Sequence, residues 1–431
     1  MIENQSINLY KVKMTKVHYS ILAICFLMNM CDGMDVMVIS YTANAIIKEW
    51  HITPANFGLV FSAGLIGMAV GAMFLASLAD IFGRKPLIVI TACCMGAGLF
   101  LTGYVSSLQQ LIAFRFISGL FIGSMLACSS AMAAEYATEK TKNFWISAVM
   151  YGYPVGAVLS GLAANNLIAN YGWRAMYFFA GITTLLTIPF VLFLLKESLE
   201  FLFKKQPAKA LQKANSILAD MKLALITTLP QKESNTKKTT VTSLFSSDKK
   251  TVTLILWAAF FLSFATLYFL TSWIPKLASI AGLSDKLSIY SGILFNLGAF
   301  AGIITQGYLS AKLGLRKVIC WFFLSTAFLM VLFGVFTGSF LLILFCLIGF
   351  GIQGGFIGLY AVAARIYPTE IRSTGIGWAI GFGRLGAVIG PLIGGLLISG
   401  GTSTSLSFIA FALLVIIAGI ITLFIKSPEV S

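Results

Sequence analysis

Twelve apolar runs, each roughly 20 residues or longer, govern what this chain can fold into. They lie at about 19–47, 54–79, 87–105, 108–135, 144–168, 173–196, 252–276, 286–311, 318–337, 339–364, 374–399 and 403–425. Runs of this length cross a membrane as helices, and the alternating tens that mark a membrane barrel do not occur. Of 431 residues, 58% are hydrophobic and 10% charged, against about 25% charged in a soluble domain. The expected class is an all-α polytopic membrane protein. Lys11, Lys13 and Lys16 followed by apolar Ile21 to Met28 imitate a signal peptide. The run continues past Asp35 without a small-residue cleavage site, so we read it as a retained first helix.

The net charge of +15 raises the question of nucleic acid, and its distribution answers it. Arg84, Lys85, Lys140, Lys142, the lysines from Lys196 to Lys250, Lys312, Arg316, Lys317, Arg365, Arg372 and Lys426 fall in alternate loops. The intervening loops hold only Lys48, Arg174, Lys276 and Lys286. Such asymmetry is the positive-inside bias, which predicts both termini in the cytoplasm and no nucleic-acid partner. Cys25, Cys31, Cys93, Cys94, Cys128, Cys320 and Cys346 lie in apolar segments without metal or disulfide spacing, and are read as packing residues. His18 and His51 stand far apart, so no metal site is expected.

One long polar segment divides the runs six and six. The expected organisation is a six-helix bundle at 1–196, a cytoplasmic linker at 197–250 and a second six-helix bundle at 251–431. In the linker, Leu211, Ala214, Leu218, Met221 and Leu225 recur at helical spacing. They predict an amphipathic helix lying on the inner leaflet against anionic lipid, and 231–250 reads as a flexible tether. The halves echo each other. Asp80-Ile81-Phe82-Gly83-Arg84-Lys85 follows the second run, and Ala311-Lys312-Leu313-Gly314-Leu315-Arg316-Lys317 follows the eighth. Ala133-Ala134-Glu135 through Gly156-Ala157-Val158 is matched by Ala363-Ala364-Arg365 through Gly386-Ala387-Val388. Duplicated six-helix halves are the architecture of many secondary transporters, with the substrate site between them near the midplane.

No phosphate-binding Gly-Lys-Ser/Thr loop and no catalytic His or Cys constellation appears, so neither an ATP-driven pump nor an enzyme is expected. What remains is charge buried in apolar runs. Asp32 and Asp35 share one face of the first helix. Each ionised Asp at a membrane centre costs roughly 2.5–3.5 kcal/mol on insertion scales. Neighbouring carboxylates also resist being ionised together. A protonatable acid facing a polar pathway is a proton-coupling candidate, against a structural role in which Asn29 or a backbone group satisfies both. Arg115, in a run with Gly119 and Gly123, needs a carboxylate, and either aspartate qualifies. The pair is open to two readings, a proton-release control or a static ion pair. Arg384 stands near the midplane of the eleventh run among glycines and Pro391, where a guanidinium can hold a carboxylate bidentately; we read it as substrate-binding, with Arg115 as a second candidate. Asn29, Tyr151, Tyr153, Tyr268, Trp273, Asn296, Gln306, Gln353, Tyr360 and Trp378 are candidate cavity residues; Asn29, Tyr268, Trp273, Gln353 and Trp378 are taken as substrate contacts. Asp80, Gly83, Arg84, Lys85, Glu135, Arg365 and Arg372, with Lys142, are gating candidates at the cytoplasmic edge.

Several stretches together resemble the major facilitator superfamily, and within it the aromatic acid:proton symporters. They are Asp32-Gly33-Met34-Asp35, Leu78-Ala79-Asp80 with Gly83-Arg84-Lys85, and Arg115 with Gly119 and Gly123. Glu135-Tyr136, Leu270-Thr271-Ser272-Trp273-Ile274-Pro275 and Tyr367-Pro368-Thr369 through Gly383-Arg384-Leu385-Gly386-Ala387 complete the set. The resemblance implies twelve transmembrane helices in two pseudo-symmetric bundles, uptake of benzoate-like or hydroxybenzoate-like acids with protons, and a need for both aspartates. The expectation is a monomeric proton-coupled symporter of a small monocarboxylate in a cytoplasmic membrane, driven by the proton gradient without a cofactor. The alternatives are a proton-linked exporter of drugs or metabolites with the same fold, or a transporter-like receptor.

Overall fold

In hydrocarbon every backbone N–H and C=O must find its partner inside the chain, so each apolar run closes its own helix. The computed structural model describes residues 14–138, 142–230, 244, 250–367 and 372–425, with side chains for all of these except 142, 143, 372 and 373. Arg372 and Lys142 as side chains, and nearly all of the 231–250 tether, lie outside the described residues. Twelve helices are long and apolar enough to span a membrane: Lys16–Trp50, Pro54–Phe82, Arg84–Thr102, Leu108–Tyr136, Phe144–Tyr171, Trp173–Leu194, Lys250–Ile280, Asp285–Leu313, Leu315–Gly334, Phe340–Ile366, Thr374–Ser399 and Thr404–Leu423. We number them spans 1 to 12. The basal end of the bundle carries Lys16 and Leu423, and the distal end carries Trp50 and Pro54.

Local chemistry sets the ends. At the distal end, Thr53, Ser107, Ser284 and Ser403 each accept a hydrogen bond from a first-turn amide of spans 2, 4, 8 and 12. At the basal end, Gly83 (φ +101°) and Gly314 (φ +90°) turn the chain into spans 3 and 9. Only glycine adopts that backbone without strain, which is why the two loop motifs share it.

Packing follows the repeat. In the first half span 2 lies on span 4, span 1 on span 5 and span 3 on span 6. In the second half the same partners meet as 8 on 10, 7 on 11 and 9 on 12. A Cβ on Gly119 would meet the Gly64 carbonyl, and one on Gly123 the Met68 carbonyl, so these glycines let spans 2 and 4 touch backbone to backbone. The halves join where span 2 meets span 11, span 5 meets span 8 and span 1 meets span 7. Polar seams close the distal part of that junction. Ser40 Oγ donates to the carbonyls of Thr271 and Ser272, both at 2.9 Å. The Ala55 amide donates to Ser399 Oγ at 2.7 Å, and Ser62 Oγ to the Val388 carbonyl at 2.7 Å.

Span 5 is broken. Helix runs over Lys142–Met150 and again over Gly152–Tyr171, with Tyr151 in a turn between them. Pro154 has no N–H to return to Met150, four residues back, so the ladder opens there. Span 2 changes pitch near its basal end, through a π-helical turn at Gly71–Leu75 and a 3-10 turn at Ala76–Leu78.

After span 6 the chain packs back on the protein. Helices Leu199–Lys205 and Ala210–Asp220 pack on each other. Ala210, Ala214, Ile217, Leu218 and Met221 are buried in the continuous apolar core. The amphipathic pattern expected there is present, and its apolar face is covered by protein. The Asn215 side chain fixes the returning strand of chain by donating to the Ile226 carbonyl and accepting from the Ile226 amide, both at 2.9 Å.

Candidate functional site

Two polar clusters interrupt the apolar interior. The first is at mid-span. Asp35 is fully buried and Arg115 is 5% exposed; Arg115 Nη1 donates to Asp35 Oδ1 at 2.5 Å. Of the two aspartates the arginine therefore takes Asp35. The pair is incompletely satisfied, since Asp35 Oδ2 and Arg115 Nε are buried without a partner. Asp32, one turn earlier, is also buried, and its Oδ1 has no hydrogen-bond partner. The charges that act on it are the Asp35 carboxylate and the Arg384 guanidinium.

Arg384 comes from span 11, half-buried, with no carboxylate within salt-bridge distance among the described residues. It is placed by close packing on span 7. A Cβ on Gly383 would meet the Phe264 ring, and one on Gly386 the Phe261 carbonyl. Its charge acts on Asp32, Tyr268 and Tyr360. Around it stand aromatic rings: Phe264 is 4.6 Å from Phe356 and 5.9 Å from Tyr268, and Phe260 is 5.2 Å from Tyr360, centroid to centroid. The backbone of Tyr153 is packed against Gly33, next to Asp32, and its phenol is coupled electrostatically to Asp32 and Tyr268. A cavity adjoining this cluster is lined from the first half by Phe61, Gly64, Met68 and Arg115 and from the second by Tyr268, Thr271 and Ser272. Sequence reasoning had named Tyr153 and Tyr360 as cavity residues without giving them a role.

The other expected substrate contacts are dispersed. Asn29 is buried, its amide donating to the Cys25 carbonyl at 2.9 Å, with Oδ1 unpartnered. Gln353 is half-buried on span 10. Trp273 is fully buried in the distal seal, where Nε1 donates to the Pro391 carbonyl at 2.8 Å and the ring meets Phe57 and Phe61 edge-on. Trp378 is 45% exposed and stacks on Trp257 at 6.0 Å.

The second cluster lies at the basal edge, within the first half and its linker. Arg84 is ion-paired with Glu135, whose other oxygen accepts from Ser198 Oγ at 2.5 Å. Lys85 Nζ donates to the Leu192 carbonyl at 2.7 Å. Gly83 is required twice, for its backbone and because a Cβ would meet the Glu197 carboxylate. Asp80 and Arg365 are exposed, and no salt bridge to Asp80 occurs among the described residues.

The residues missed from the sequence here are Glu197, Ser198 and Glu200. Glu197 Oε1 accepts from the amides of Arg84 (2.8 Å), Lys85 (3.2 Å) and Ser198 (2.8 Å), and its carbonyl accepts from the Tyr136 hydroxyl at 2.5 Å. One carboxylate thus caps the start of span 3 and ties it to the start of the linker. The Glu135 side chain, with support from Lys204, holds Glu200 below the usual carboxylate range. The available signal was Ser198-Leu199-Glu200-Phe201, a helix start just past an apolar run. Glu197→Gln weakens three charge-assisted hydrogen bonds and is expected to free the linker locally. Trypsin cleavage at Lys204 and Lys205 in detergent should quicken about tenfold, the effect of roughly 1.4 kcal/mol of lost latching. An unchanged cleavage rate would show that Glu197 does not hold the linker.

Twelve spans in two matched halves, with charges buried at their junction, define a multi-pass membrane transporter rather than an enzyme. The chain belongs to the Major Facilitator Superfamily, whose family model matches residues 25–306 and 293–431. It is 30% identical over 422 residues to the 4-hydroxybenzoate transporter PcaK of Acinetobacter baylyi, covering 96% of this chain and 92% of that one. It is 30% identical over 411 residues to a gallate transporter of Pseudomonas putida, with 94% and 90% covered. These relatives are aromatic acid transporters. Among solved structures it resembles a D-xylose-proton symporter with a TM-score of 0.73 at 17% identity, covering 96% of this chain and 98% of that one. That likeness concerns the fold.

Proposed function

We propose that the protein is a proton-coupled importer of a small aromatic monocarboxylate, working by alternating access between its two halves. The observation that carries this reading is that Arg384 of one half acts electrostatically on Asp32 of the other at mid-span. Neither takes part in a salt bridge among the described residues. A half-buried cation without a carboxylate is a seat for an anionic substrate, and a buried acid without a counter-ion is a seat for a proton. The incoming acid neutralises Arg384, and a proton neutralises Asp32. Only when both are neutral can the halves close over the site without enclosing a lone charge, which supplies the coupling. Arg115 holds Asp35 beside this pair. The relatives' printed substrates, 4-hydroxybenzoate and gallate, support an aromatic carboxylate. The charge asymmetry of the loops supports a cytoplasmic basal end with both termini in the cytoplasm, in a cell's inner membrane. Asp80, Arg84, Lys85, Glu135 and Arg365 then lie at the cytoplasmic gate.

The test is uptake into proteoliposomes with the interior alkaline, using benzoate, 4-hydroxybenzoate and aliphatic carboxylates. Ionophore-sensitive accumulation of an aromatic acid is expected. Asp32→Asn should abolish accumulation against the gradient while leaving exchange of labelled for unlabelled acid, because the site is then permanently neutral. Gradient-driven accumulation by Asp32→Asn at the wild-type level would remove Asp32 from coupling. Loss of preloaded acid when the interior is made alkaline, in place of uptake, would point to export.

A further inference from the structure

Three phenols surround the site, and none is used by the protein itself. Tyr153, Tyr268 and Tyr360 are half-buried, and their hydroxyls have no hydrogen-bond partner among the described residues. The tyrosines deeper in the bundle behave otherwise: Tyr41 donates to the Ala157 carbonyl at 3.1 Å, and Tyr177 pairs with Thr42 at 3.4 Å. A hydroxyl that faces the site without a protein partner is free to bond a polar group that arrives from outside, and three such hydroxyls stand together here.

The three are not equivalent. Tyr268 and Tyr360 neighbour Arg384 in the second half. Tyr153 belongs to the first half and neighbours Asp32 and Tyr268. It follows the break in span 5, between Gly152 and Pro154, and its carbonyl is packed against Gly33, where a Cβ would collide with it. The helix break and the glycine contact place this residue against the aspartate turn of span 1. Phe260, Phe264 and Phe356 pack on one another as an apolar wall, with Phe264 against Gly383 beside Arg384 and against Tyr268.

We infer that Tyr153 reads a ring hydroxyl on the transported acid, so that the protein selects hydroxylated aromatic acids over unsubstituted benzoate. This rests on the reading of Arg384 as the carboxylate seat. With the carboxylate on Arg384 in the second half, the ring lies along the phenylalanine wall and its hydroxyl reaches the first half at Tyr153. The substrate then bridges the halves by its two polar ends. An acid without the hydroxyl leaves the Tyr153 phenol buried and unpaired on closure, which penalises the closed state rather than the first encounter. Tyr268 lies between the two ends and belongs to the carboxylate group of contacts.

The experiment measures kcat/KM for 4-hydroxybenzoate and benzoate in proteoliposomes, for wild type, Tyr153→Phe and Tyr268→Phe. Wild type is expected to favour 4-hydroxybenzoate by about tenfold or more, the effect of one hydrogen bond lost with its partner buried. Tyr153→Phe keeps the ring and should bring the ratio near one, mainly by lowering uptake of 4-hydroxybenzoate while benzoate uptake holds. Tyr268→Phe should lower both acids together and keep their ratio. An unchanged ratio in Tyr153→Phe, equal loss of both acids in that variant, or a wild-type ratio near one would each overturn the inference and leave aromatic acid transport standing. Absence of uptake of either acid by wild type would instead overturn the carboxylate reading on which it rests.

Discussion

Arg384→Ala is expected to lower gradient-driven uptake of the aromatic acid by two to three orders of magnitude, about the 2–5 kcal/mol attached to a hydrogen-bonded charge pair that loses one member. The loss should be functional and not structural. Arg384 is half-buried and without a salt-bridge partner among the described residues, so alanine there strands no carboxylate that the fold had paired. Thermal unfolding in detergent should therefore stay within a few degrees of wild type. Arg384→Lys separates charge from geometry. It keeps the cation but loses the planar fork that grips a carboxylate with two parallel bonds, and an intermediate rate is expected. Uptake by Arg384→Ala near the wild-type level would place the carboxylate elsewhere, with Arg115 the next candidate because it lines the adjoining cavity. Parallel collapse of stability and uptake would make Arg384 a structural residue.

What the sequence made legible divides along a physical line. Features whose cost is local were visible. An acid in a long apolar run is expensive wherever the run ends up, so Asp32 and Asp35 stood out before any contact was known. Glycine at 83 and 314 was visible for the same reason, because a turn with positive φ is a property of one residue. Features decided by what arrives from elsewhere in the chain were not. The choice of Asp35 over Asp32 as the partner of Arg115 depends on how spans 1 and 4 rotate against each other. Trp273 had the composition of a substrate contact, yet its indole N–H is engaged by a carbonyl 118 residues away. The apolar face of the 210–220 helix was legible, but periodicity states only that something apolar covers it, and here that is protein rather than lipid. Glu197 gave the weakest signal of all. It is one charged residue in a charged segment, and two of its three amide partners, Arg84 and Lys85, emerge only when the turn into span 3 folds back on the end of span 6.

The buried Asp35–Arg115 pair carries the second large effect, and it distinguishes the two roles such a pair can have. Asp35→Asn leaves Arg115, 5% exposed, without its counter-charge, and Arg115→Gln leaves Asp35, fully buried, as a lone anion. Removing one member of a buried pair costs about 3–5 kcal/mol, because the remaining charge is neither solvated nor compensated. Both single variants are therefore expected to lower the unfolding temperature in detergent sharply and to reduce folded yield. The double variant Asp35→Asn with Arg115→Gln encloses no charge and keeps similar volumes, so most of that stability should return. Uptake then decides the role. If the pair is only a strut, the double variant recovers gradient-driven accumulation along with its stability. If Arg115 controls when Asp35 and its neighbour Asp32 release a proton, the double variant is stable but does not accumulate acid, while exchange across the membrane persists. We expect the second outcome. The unsatisfied Oδ2 of Asp35 and Nε of Arg115 are what a pair built purely for rigidity would have paired, and a pair that must separate during the cycle has reason to leave them open.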